Sequence, residues 1–404
     1  MAARASYYNS DVSYPMEIIY NTVMKREENN LNYMLLTGAK FVMFDIARSL
    51  HASGNLKRII TSYPRIKLLA ENLPMNKIES HSFYQVTEFL LEKFKINSSL
   101  IRDHISANNL NYLDSKSTKQ IGNSNLISMS SLGLKTAQIV KKRGNIFMLN
   151  RFSHHILVQK RILEEQSSIW GWPETLPTQF NIDRELEEYQ LADKIIVPSY
   201  ASYESFKNQG INMEKVFVNP FPVVASEAVA NNQSKKNIIF VGNVSLRKGF
   251  PSLIQAFNLL NMPRVKLHVA GIYHRSFIRY LEKKSLSFEN VILHGPLGSE
   301  RLNQLYNECD VLVLPSVEDG WGMVVNEAMA RGCIPVVSTG AGASDQIDNG
   351  VNGYVFESGS VTQLAECILK AVGNAGVREN MLDLINSPSS LKRNWDDFCG
   401  IYLD

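Results

Sequence analysis

Apolar and polar positions alternate in blocks along the chain, and the blocks predict strands separated by helices. Near the start, strands are predicted at Leu31–Thr37 and Lys57–Ser62. Gly38 and a helix over Phe41–Ser53 lie between them, which makes a βαβ unit. Further elements are predicted at Asn125–Ser128, Asn145–Leu149 and Leu191–Ser199 as strands, and near Ser131–Lys142 as a helix.

The second half repeats this alternation more regularly. The predicted strands are Asn237–Val241, Lys266–Ala270, Val291–His294, Asp310–Pro315, Ile334–Ser338 and Gly353–Phe356. Helical spacing fills the gaps near 251–261, 275–285, 299–308, 323–331 and 361–373. Strands that alternate with helices indicate parallel sheets covered on both faces. The predicted fold class is therefore α/β, with two Rossmann-like doubly wound domains facing each other across a cleft.

Prolines and a polar run mark the boundary between these halves. Val216–Pro222 leads into the polar stretch Ala225–Lys236, which is the best linker candidate. We predict a first domain over 1–219, with residues 1–30 as a polar extension, and a second over 220–386. Residues 387–404 carry apolar side chains at helical spacing and are predicted to form a final helix.

Composition narrows the class of protein. The 404 residues are 45% hydrophobic and 20% charged, which excludes a disordered, collagen-like or disulfide-scaffold chain. With 42 basic and 39 acidic residues, the net charge of +3 does not indicate nucleic acid as a partner. Residues 51–150 hold 14 basic and 6 acidic residues. This excess is either a solvated face or attracts an anionic membrane or a phosphorylated acceptor.

The cysteines and the apolar runs indicate the cellular compartment of the protein. The chain has four cysteines, no CxxC pair and no spacing typical of zinc or disulfide frameworks. Such cysteines are typical of a reducing cytoplasm. There is no apolar leader, and no apolar run reaches the ~18 residues that span a bilayer. We expect a cytoplasmic protein, with peripheral contact at the inner face of the membrane as an alternative.

Candidate chemistry concentrates in glycine turns after predicted strands. In Asp310–Gly332 a strand leads into a loop with two acids and two glycines, and then into a helix. Asp319 and Glu327 can reach one polyhydroxylated ligand, because carboxylates accept hydrogen bonds from hydroxyl groups. In the turn Val241–Gly249, Arg247 and Lys248 can face a pyrophosphate. A third turn covers Thr339–Ser344; each alone suits a structural turn, but together they indicate a phosphate-bearing ligand.

These motifs, in this order, resemble the retaining glycosyltransferases of family 4, which have the GT-B fold. The resemblance rests on Phe-Val-Gly…Arg-Lys-Gly, Asp-Val-Leu-Val-Leu-Pro-Ser and Glu-Asp-Gly-Trp-Gly-x4-Glu-Ala-Met-Ala-x-Gly, followed by Ile-Pro-Val-Val and its glycines. The strong part covers about 237–357. A weaker part covers 31–220 and includes the segment Asn150-Arg-Phe-Ser-His-His-Ile156.

The resemblance implies a nucleotide-sugar donor held mainly by the second domain. Glu327 would hold the ribose, Asp319 would lie near the donor sugar and Lys248 on the diphosphate. Two positions depart from the family. Asp319 stands where Glu is usual, with Glu318 as a substitute, and Asn243 stands where arginine is usual, with Arg247 as the replacement charge. Further donor-binding positions would be Gly38, Gly242, Gly295, Leu297, Gly320, Trp321, Gly322, Met323 and Val324.

The first domain would supply His155, which resembles the family histidine that reaches the donor sugar; its neighbour His154 is the alternative. Gly38 would lie against donor or acceptor, and the turn Gly295–Leu297 would meet the base. In this fold the final helix crosses back to the first domain. The absence of an Asp-x-Asp pair argues against a metal-dependent transferase, so neither a metal site nor a cofactor is expected.

We therefore expect a hexosyltransferase that moves sugar from a nucleotide-sugar donor, UDP-linked by family tendency, with retention of configuration. The acceptor would be a glycan, a glycolipid or a similar molecule of polysaccharide biosynthesis. A catalytically degenerate GT-B subunit and a nucleotide-sugar epimerase are the alternatives. The sequence leaves the donor sugar and the acceptor open.

Overall fold

A computed structural model describes residues 32–40, 42–83, 86–87, 99–222, 236–386 and 394–403. Within these residues, the strands form two sheets, and every strand pair is parallel. The predicted extension 1–30 and all of the predicted linker except Lys236 lie outside the described residues.

The first sheet has seven strands in the order β3-β2-β1-β4-β5-β6-β7. Strand β1 is buried along its whole length, as expected for a parallel strand with helices on both faces. The strands are β1 Tyr33–Thr37, β2 Leu56–Thr61, β3 Ile78–Ser80, β4 Asn125–Met129, β5 Phe147–Asn150, β6 Lys194–Val197 and β7 Val216–Val218.

The helices of the first sheet are harder to find in the sequence. They are α1 Met43–Ala52, α2 Ser99–Gln120, α3 Leu134–Lys142, α4 Ile156–Trp170, α5 Gln179–Leu191 and α6 Tyr200–Lys207, with 3₁₀ turns at Arg65–Glu71, Met75–Lys77 and Met213–Lys215. The apolar pattern does not predict α2, α4, α5 or α6. In α5 the reason is clear: Arg184, Glu185 and Glu188 face inward, and these buried polar side chains interrupt the apolar period.

The second sheet has six strands in the order β10-β9-β8-β11-β12-β13. These are β8 Ile238–Val241, β9 Leu267–Ala270, β10 Val291–Gly295, β11 Val311–Leu314, β12 Ile334–Ser338 and β13 Tyr354–Phe356. The helices are α7 Phe250–Leu260, α8 Arg275–Lys283, α9 Ser299–Asn307, α10 Met323–Met329, α11 Val361–Ala371 and α12 Ala375–Asn386, with a 3₁₀ turn at Gly342–Gln346. Only α12 and the 3₁₀ turn lack a counterpart in the predicted pattern.

The predicted fold class is confirmed: two doubly wound α/β sheets lie side by side. An apolar cluster continues from one to the other, since it contains residues of both sheets. Phe221 lies at its centre, with ring centroids 5.6 Å from Phe152, 6.0 Å from Trp321 and 5.4 Å from Phe398. This shared core holds the facing edges of the sheets together.

The end of the chain returns to the first sheet. Helix α13, Trp395–Gly400, begins with a capping box in which Asn394 and Asp397 satisfy each other's backbone N–H groups. Phe398 O accepts a hydrogen bond from Asn219 Nδ2 at 3.1 Å, and the buried hydroxyl of Tyr402 donates to Asn150 Oδ1. Residues 387–393 of the predicted final helix lie outside the described part of the chain.

Candidate functional site

Each sheet reverses its strand order at one point, between β1 and β4 in the first and between β8 and β11 in the second. At such a point neighbouring loops leave in opposite directions and open a crevice at the carboxyl ends of the strands, where ligands of this architecture bind. The turn after β8 contains Gly242–Gly249, and the loop after β11 contains Pro315–Gly322. Two of the three predicted glycine turns of the second half therefore meet at one crevice.

The two halves approach each other backbone to backbone at this crevice. A Cβ atom on Gly320 would lie 2.3 Å from the carbonyl oxygen of Phe152, which no side chain permits. A Cβ on Gly249, whose φ is +63°, would lie 1.8 Å from the carbonyl oxygen of Pro315. Glycine is required at both positions, because one sets the gap between the halves and the other sets the gap between two loops.

A Lys248–Asp319 ion pair stands at the centre of the crevice, with the ammonium Nζ against carboxylate Oδ2. The two side chains are 21% and 13% exposed, so each keeps one face open. They line a cavity of about 230 Å³. Five predicted donor-binding residues line it with them: Gly242, Trp321, Gly322, Met323 and Val324.

A second cavity of about 270 Å³ adjoins the first, since Val241 and Gly242 line both. Its walls are largely apolar and include Ile272, Pro296 and Leu297. Gly295 does not line it, but its φ of +73° turns the chain after β10 toward Leu297. Pro296 and Leu297 of the predicted turn thus form one wall of an apolar cavity that adjoins the cavity of the ion pair.

Glu327 lies on helix α10, one turn beyond Met323 on the same face. It is exposed and does not line the two cavities. Its Oε2 accepts a hydrogen bond from the Tyr306 hydroxyl at 3.0 Å. Partial desolvation raises the pKa of Glu327, although the Tyr306 hydrogen bond and the nearby Arg331 oppose the shift.

Glu318 is an anchor between the halves rather than an open donor ligand. Its carboxylate is fully buried and accepts hydrogen bonds from His154 Nδ1 at 2.9 Å and from Arg247 Nε at 2.7 Å. Burial acts to raise its pKa, but His154 and Arg247 outweigh burial and hold the pKa well below its usual range. Ser153 Oγ and Gln159 Nε2 also donate to it. With this many partners, Glu318 does not stand in for Asp319.

The two adjacent histidines have different surroundings, and the predicted His155 faces away from the crevice. His155 is 1% exposed, with ring centroids 4.9 Å from Tyr189 and 5.0 Å from Phe206. Its Nδ1 accepts the N–H of Leu157 and caps helix α4. Burial, followed by the charge of Arg151, lowers its pKa to about 4. The structure therefore places His154, rather than His155, against Glu318, and neither histidine lines the cavities described here.

Gly38 also lies away from the ion pair. Its carbonyl accepts a hydrogen bond from Ser62 Oγ at 2.9 Å, and it is not among the residues that line the cavities described here. This geometry suits a structural turn between β1 and α1 rather than contact with the donor.

A third cavity of about 520 Å³ lies between the halves and meets the first at Lys248. Arg247 and Asn243 line it from the second half. From the first half come Arg151, which follows β5, and side chains of α4, α5 and the loop between these helices, among them Gln159, Glu174, Thr175, Asn181 and Glu185. Arg247 thus faces this cavity and Glu318 together, and its backbone N–H donates to Glu174 Oε2 at 3.0 Å.

A buried polar network shapes the wall that the first half contributes. Arg151 Nε lies 3.2 Å from Glu185 Oε2, which also accepts from the Tyr189 hydroxyl at 2.6 Å. Arg151 further donates to the carbonyl of His154 at 3.0 Å and so orients the histidine segment. Arg151 lies within the quoted histidine motif, but the sequence offers no signal for Glu185, whose helix has the composition of a solvated surface.

The described residues contain neither a candidate metal centre nor a membrane-spanning helix. No three His, Cys, Asp or Glu side chains there are grouped so that they could hold a metal ion. Among the same residues, no helix combines the length and apolar character that crossing a bilayer requires. The four cysteines are buried and form no disulfide.

Comparison with known proteins matches the second half to a family model. Residues 226–383 match the model described as glycosyl transferases group 1. An uncharacterized glycosyltransferase of Methanocaldococcus jannaschii is 29% identical over 172 residues, which is 42% of this chain and 44% of that protein. The capsular polysaccharide biosynthesis glycosyltransferase CapM of Staphylococcus aureus is 31% identical over 149 residues, or 35% of this chain and 38% of CapM. The chain spans about half the length of the curated relatives it matches.

Solved structures extend the likeness over nearly the whole chain. HepE of Anabaena, crystallised with UDP and glucose, superimposes with a TM-score of 0.64, 17% identity, and coverage of 92% of this chain and 98% of HepE. A point mutant of TarM from S. aureus, in complex with fondaparinux, alpha-GlcNAc-glycerol and UDP, gives 0.54, 19% identity, and coverage of 74% and 57%. At these identities the likeness shows that both sheets follow the GT-B fold.

Proposed function

We propose, from the match of residues 226–383 to the glycosyl transferases group 1 model, that the chain transfers a hexosyl group from a nucleotide-sugar to a hydroxyl acceptor. The Lys248–Asp319 pair carries this proposal. It lines the cavity of the glycine loop, which adjoins the largely apolar cavity at Gly242 and the cavity between the halves at Lys248. A base, a diphosphate and sugar, and an acceptor would fill these three spaces in that order.

The cations beside the crevice account for departure of the nucleotide. A diphosphate would draw Lys248 away from Asp319, and the freed carboxylate would accept hydrogen bonds from the donor sugar. Arg247, on the wall of the adjoining cavity, adds a second positive charge. Fixed positive charge at the place where negative charge develops lowers the barrier of such a reaction. We propose that these residues do this without a metal ion.

Retention of configuration follows from a front-face step at this site. The bond between the anomeric carbon and the phosphate oxygen breaks, with its electron pair going to the phosphate. The acceptor oxygen forms a new bond to the same face of that carbon, and its proton passes to the departing phosphate oxygen. No side chain forms a bond to the sugar. Glu327, one turn from the cavity on helix α10, would hold the ribose.

The charges of the cavity between the halves bear on the acceptor. Each cation of its described lining is paired with a carboxylate: Arg151 with Glu185, Arg247 with Glu318 and Lys248 with Asp319. Glu174 and Asp103 add negative charge to the same walls. These groups favour an uncharged glycan hydroxyl over a phosphorylated acceptor, because the donor diphosphate would occupy Lys248 while buried carboxylates hold Arg151 and Arg247.

A thermal-shift screen with UDP, GDP, ADP and their hexoses tests the donor assignment. We expect stabilisation by UDP and UDP-hexose, about 2.7 kcal/mol at a hundredfold excess over Kd, and no change with EDTA. Glu327→Ala should reduce the shift and nearly abolish transfer in a folded protein. Lys207→Met, at a surface pair remote from the crevice, is the control. A normal transfer rate in folded Glu327→Ala would show that the site is misplaced.

Product NMR tests the stereochemistry separately. With an α-linked donor hexose, we expect an α-linked product. A β-linked product would exclude the front-face step while leaving the donor assignment intact.

A further inference from the structure

The side chain of Tyr306, on the last turn of helix α9, is held rigidly inside the second half of the molecule. It is fully buried and belongs to the apolar cluster that continues between the sheets. Its backbone carbonyl accepts a hydrogen bond from Cys333 Sγ at 3.1 Å and another from the N–H of Cys309 at 3.1 Å. The position of the phenol ring, and therefore of its hydroxyl, is set by the core.

This hydroxyl reaches a carboxylate at the surface. It donates to Glu327 Oε2 at 3.0 Å. Among the residues that the structure describes, Tyr306 alone donates a hydrogen bond to this carboxylate, while Arg331 stabilises it through its charge. Burial, followed by the charge of Glu327, raises the pKa of Tyr306, so the hydroxyl keeps its proton and acts as a donor. One oxygen of Glu327 is thus engaged, and Oε1 is left for a ligand.

The hydrogen bond between these two residues lies beside both cavities of the proposed donor site. On α9, Leu302 lines the largely apolar cavity and precedes Tyr306 by four residues. On α10, Met323 lines the cavity of the glycine loop and precedes Glu327 by four residues. Residues four apart share one face of a helix. The bond therefore lies one helical turn beyond the lining of each cavity.

The ribose of a nucleotide joins its base to its diphosphate. A nucleotide with its base in the apolar cavity and its diphosphate at the glycine loop would therefore carry its ribose between the two. A glutamate on a helix surface otherwise loses its rotamer freedom when it binds a ligand, and that loss weakens binding. A glutamate that Tyr306 already holds has lost this freedom before the nucleotide arrives.

We propose that Tyr306 is a positioning residue for the nucleoside: it fixes Glu327 so that Oε1 meets the ribose hydroxyls. Helix α9 would then set both the wall of the base cavity, through Leu302, and the place of the ribose, through Tyr306. The proposal rests on the proposed function and deepens it. The competing explanation is purely structural, because a buried tyrosine hydroxyl needs a hydrogen-bond partner whether or not a ligand binds.

Calorimetric titration of the full chain with UDP and with 2′,3′-dideoxy-UDP separates the two explanations. The wild type should bind UDP more tightly than the analogue, which lacks both ribose hydroxyls. Tyr306→Phe should weaken UDP binding about 3–10-fold, the effect of leaving one long side chain to be ordered by the ligand. Binding of the dideoxy analogue should stay the same, since it offers Glu327 no hydroxyl.

A double-variant cycle tests whether Tyr306 acts through Glu327. In the Glu327→Ala background, Tyr306→Phe should cause no further loss of UDP affinity, because the group that it positions is gone. Tyr354→Phe is the matched control: this tyrosine of β13 is also nearly buried, and its hydroxyl donates to the carbonyl of Lys370 at 3.4 Å. It should leave the affinity for both nucleotides unchanged, and thermal unfolding should show that all variants are folded.

The outcomes separate this proposal from the donor assignment. Unchanged UDP affinity in Tyr306→Phe, an equal loss for both nucleotides, or a further loss in the Glu327→Ala background would overturn the positioning role and leave the donor site intact. Equal binding of UDP and its dideoxy analogue by the wild type would remove Glu327 from the ribose, and the proposal with it. A wild type that binds neither nucleotide would overturn the donor assignment itself.

Discussion

The carboxyl edges of the two sheets hold their charged side chains in different ways. In the second sheet, Lys248 and Asp319 come from glycine turns directly after β8 and β11 and remain partly open to the crevice. In the first sheet, Arg151 and Glu185 come from a strand end and the middle of helix α5, and both are almost fully buried. The second sheet leaves its charged pair accessible to a ligand, whereas the first sheet uses its pair to stabilise the wall of the cavity between the halves.

The two ion pairs therefore have different roles: the open pair is available to a ligand, whereas the buried pair stabilises the fold. A pair with open faces can exchange its partner for a ligand at small cost. A buried pair cannot, because removing either member leaves the other charged and desolvated. Glu318 connects the two halves: it is buried, and it bonds to Arg247 of the second half and to His154 of the first half.

Arg151→Ala should produce the largest effect, and on stability rather than on donor affinity. Glu185 would remain buried without its cation, so the free energy of unfolding should fall by about 3–5 kcal/mol. Chemical denaturation of the variant and of the control Lys207→Met checks this. If the two variants were equally stable, the buried Arg151–Glu185 pair would contribute no more to the free energy of unfolding than an exposed pair does.

Lys248→Met should give the opposite profile. Loss of the cation at the departing phosphate should lower kcat by about 10²–10³-fold, while the protein stays folded. Steady-state kinetics with UDP-hexose, together with circular dichroism, measures both sides. An unchanged kcat would remove Lys248 from the reacting centre.

The pH dependence of stability tests whether His155 is neutral in the folded protein. His155 has its pKa lowered to about 4, so between pH 6.5 and 4 the unfolded chain takes up a proton that the folded chain refuses. The free energy of unfolding should therefore fall as the pH drops through this window, by about 3 kcal/mol at pH 4. Denaturation curves at several pH values should show this slope in the wild type and its reduction in His155→Phe. An identical slope in both would show that His155 is not held neutral.

Tyr280→Phe should have the smallest effect. The hydroxyl of this residue of α8 donates to the carbonyls of Trp170 and Gly171, and so ties the loop after α4 to the second sheet. Its loss should cost about 1 kcal/mol in the free energy of unfolding, while the contact between the tilted rings of Trp172 and Tyr280 remains. A loss several times larger would show that the tie, rather than the shared apolar core, holds the halves together.

The sequence predicts the residues of the open ion pair and its turns, but not the buried contacts between distant segments. Lys248, Asp319 and the Trp321–Val324 segment lie in contiguous turns with local signatures, and the structure brings them to one cavity. His155 illustrates the limit, because two neighbouring histidines carry the same sequence signal, and only the entry of the chain into helix α4 decides which of them faces Glu318. From the sequence, Glu318 looks available to bind a ligand. In the structure its carboxylate is occupied by hydrogen-bond partners from distant segments.

The sequence by itself determined the α/β alternation, the two parallel sheets and the position of the glycine turns, because these depend on the period of apolar residues and on local backbone freedom. Tertiary structure alone decided that Arg151 and Glu185 form a buried wall and that His154, rather than His155, lies against Glu318. Each of these depends on which polar groups lose contact with water and which segments become neighbours, and such long-range pairing leaves no local pattern in the chain.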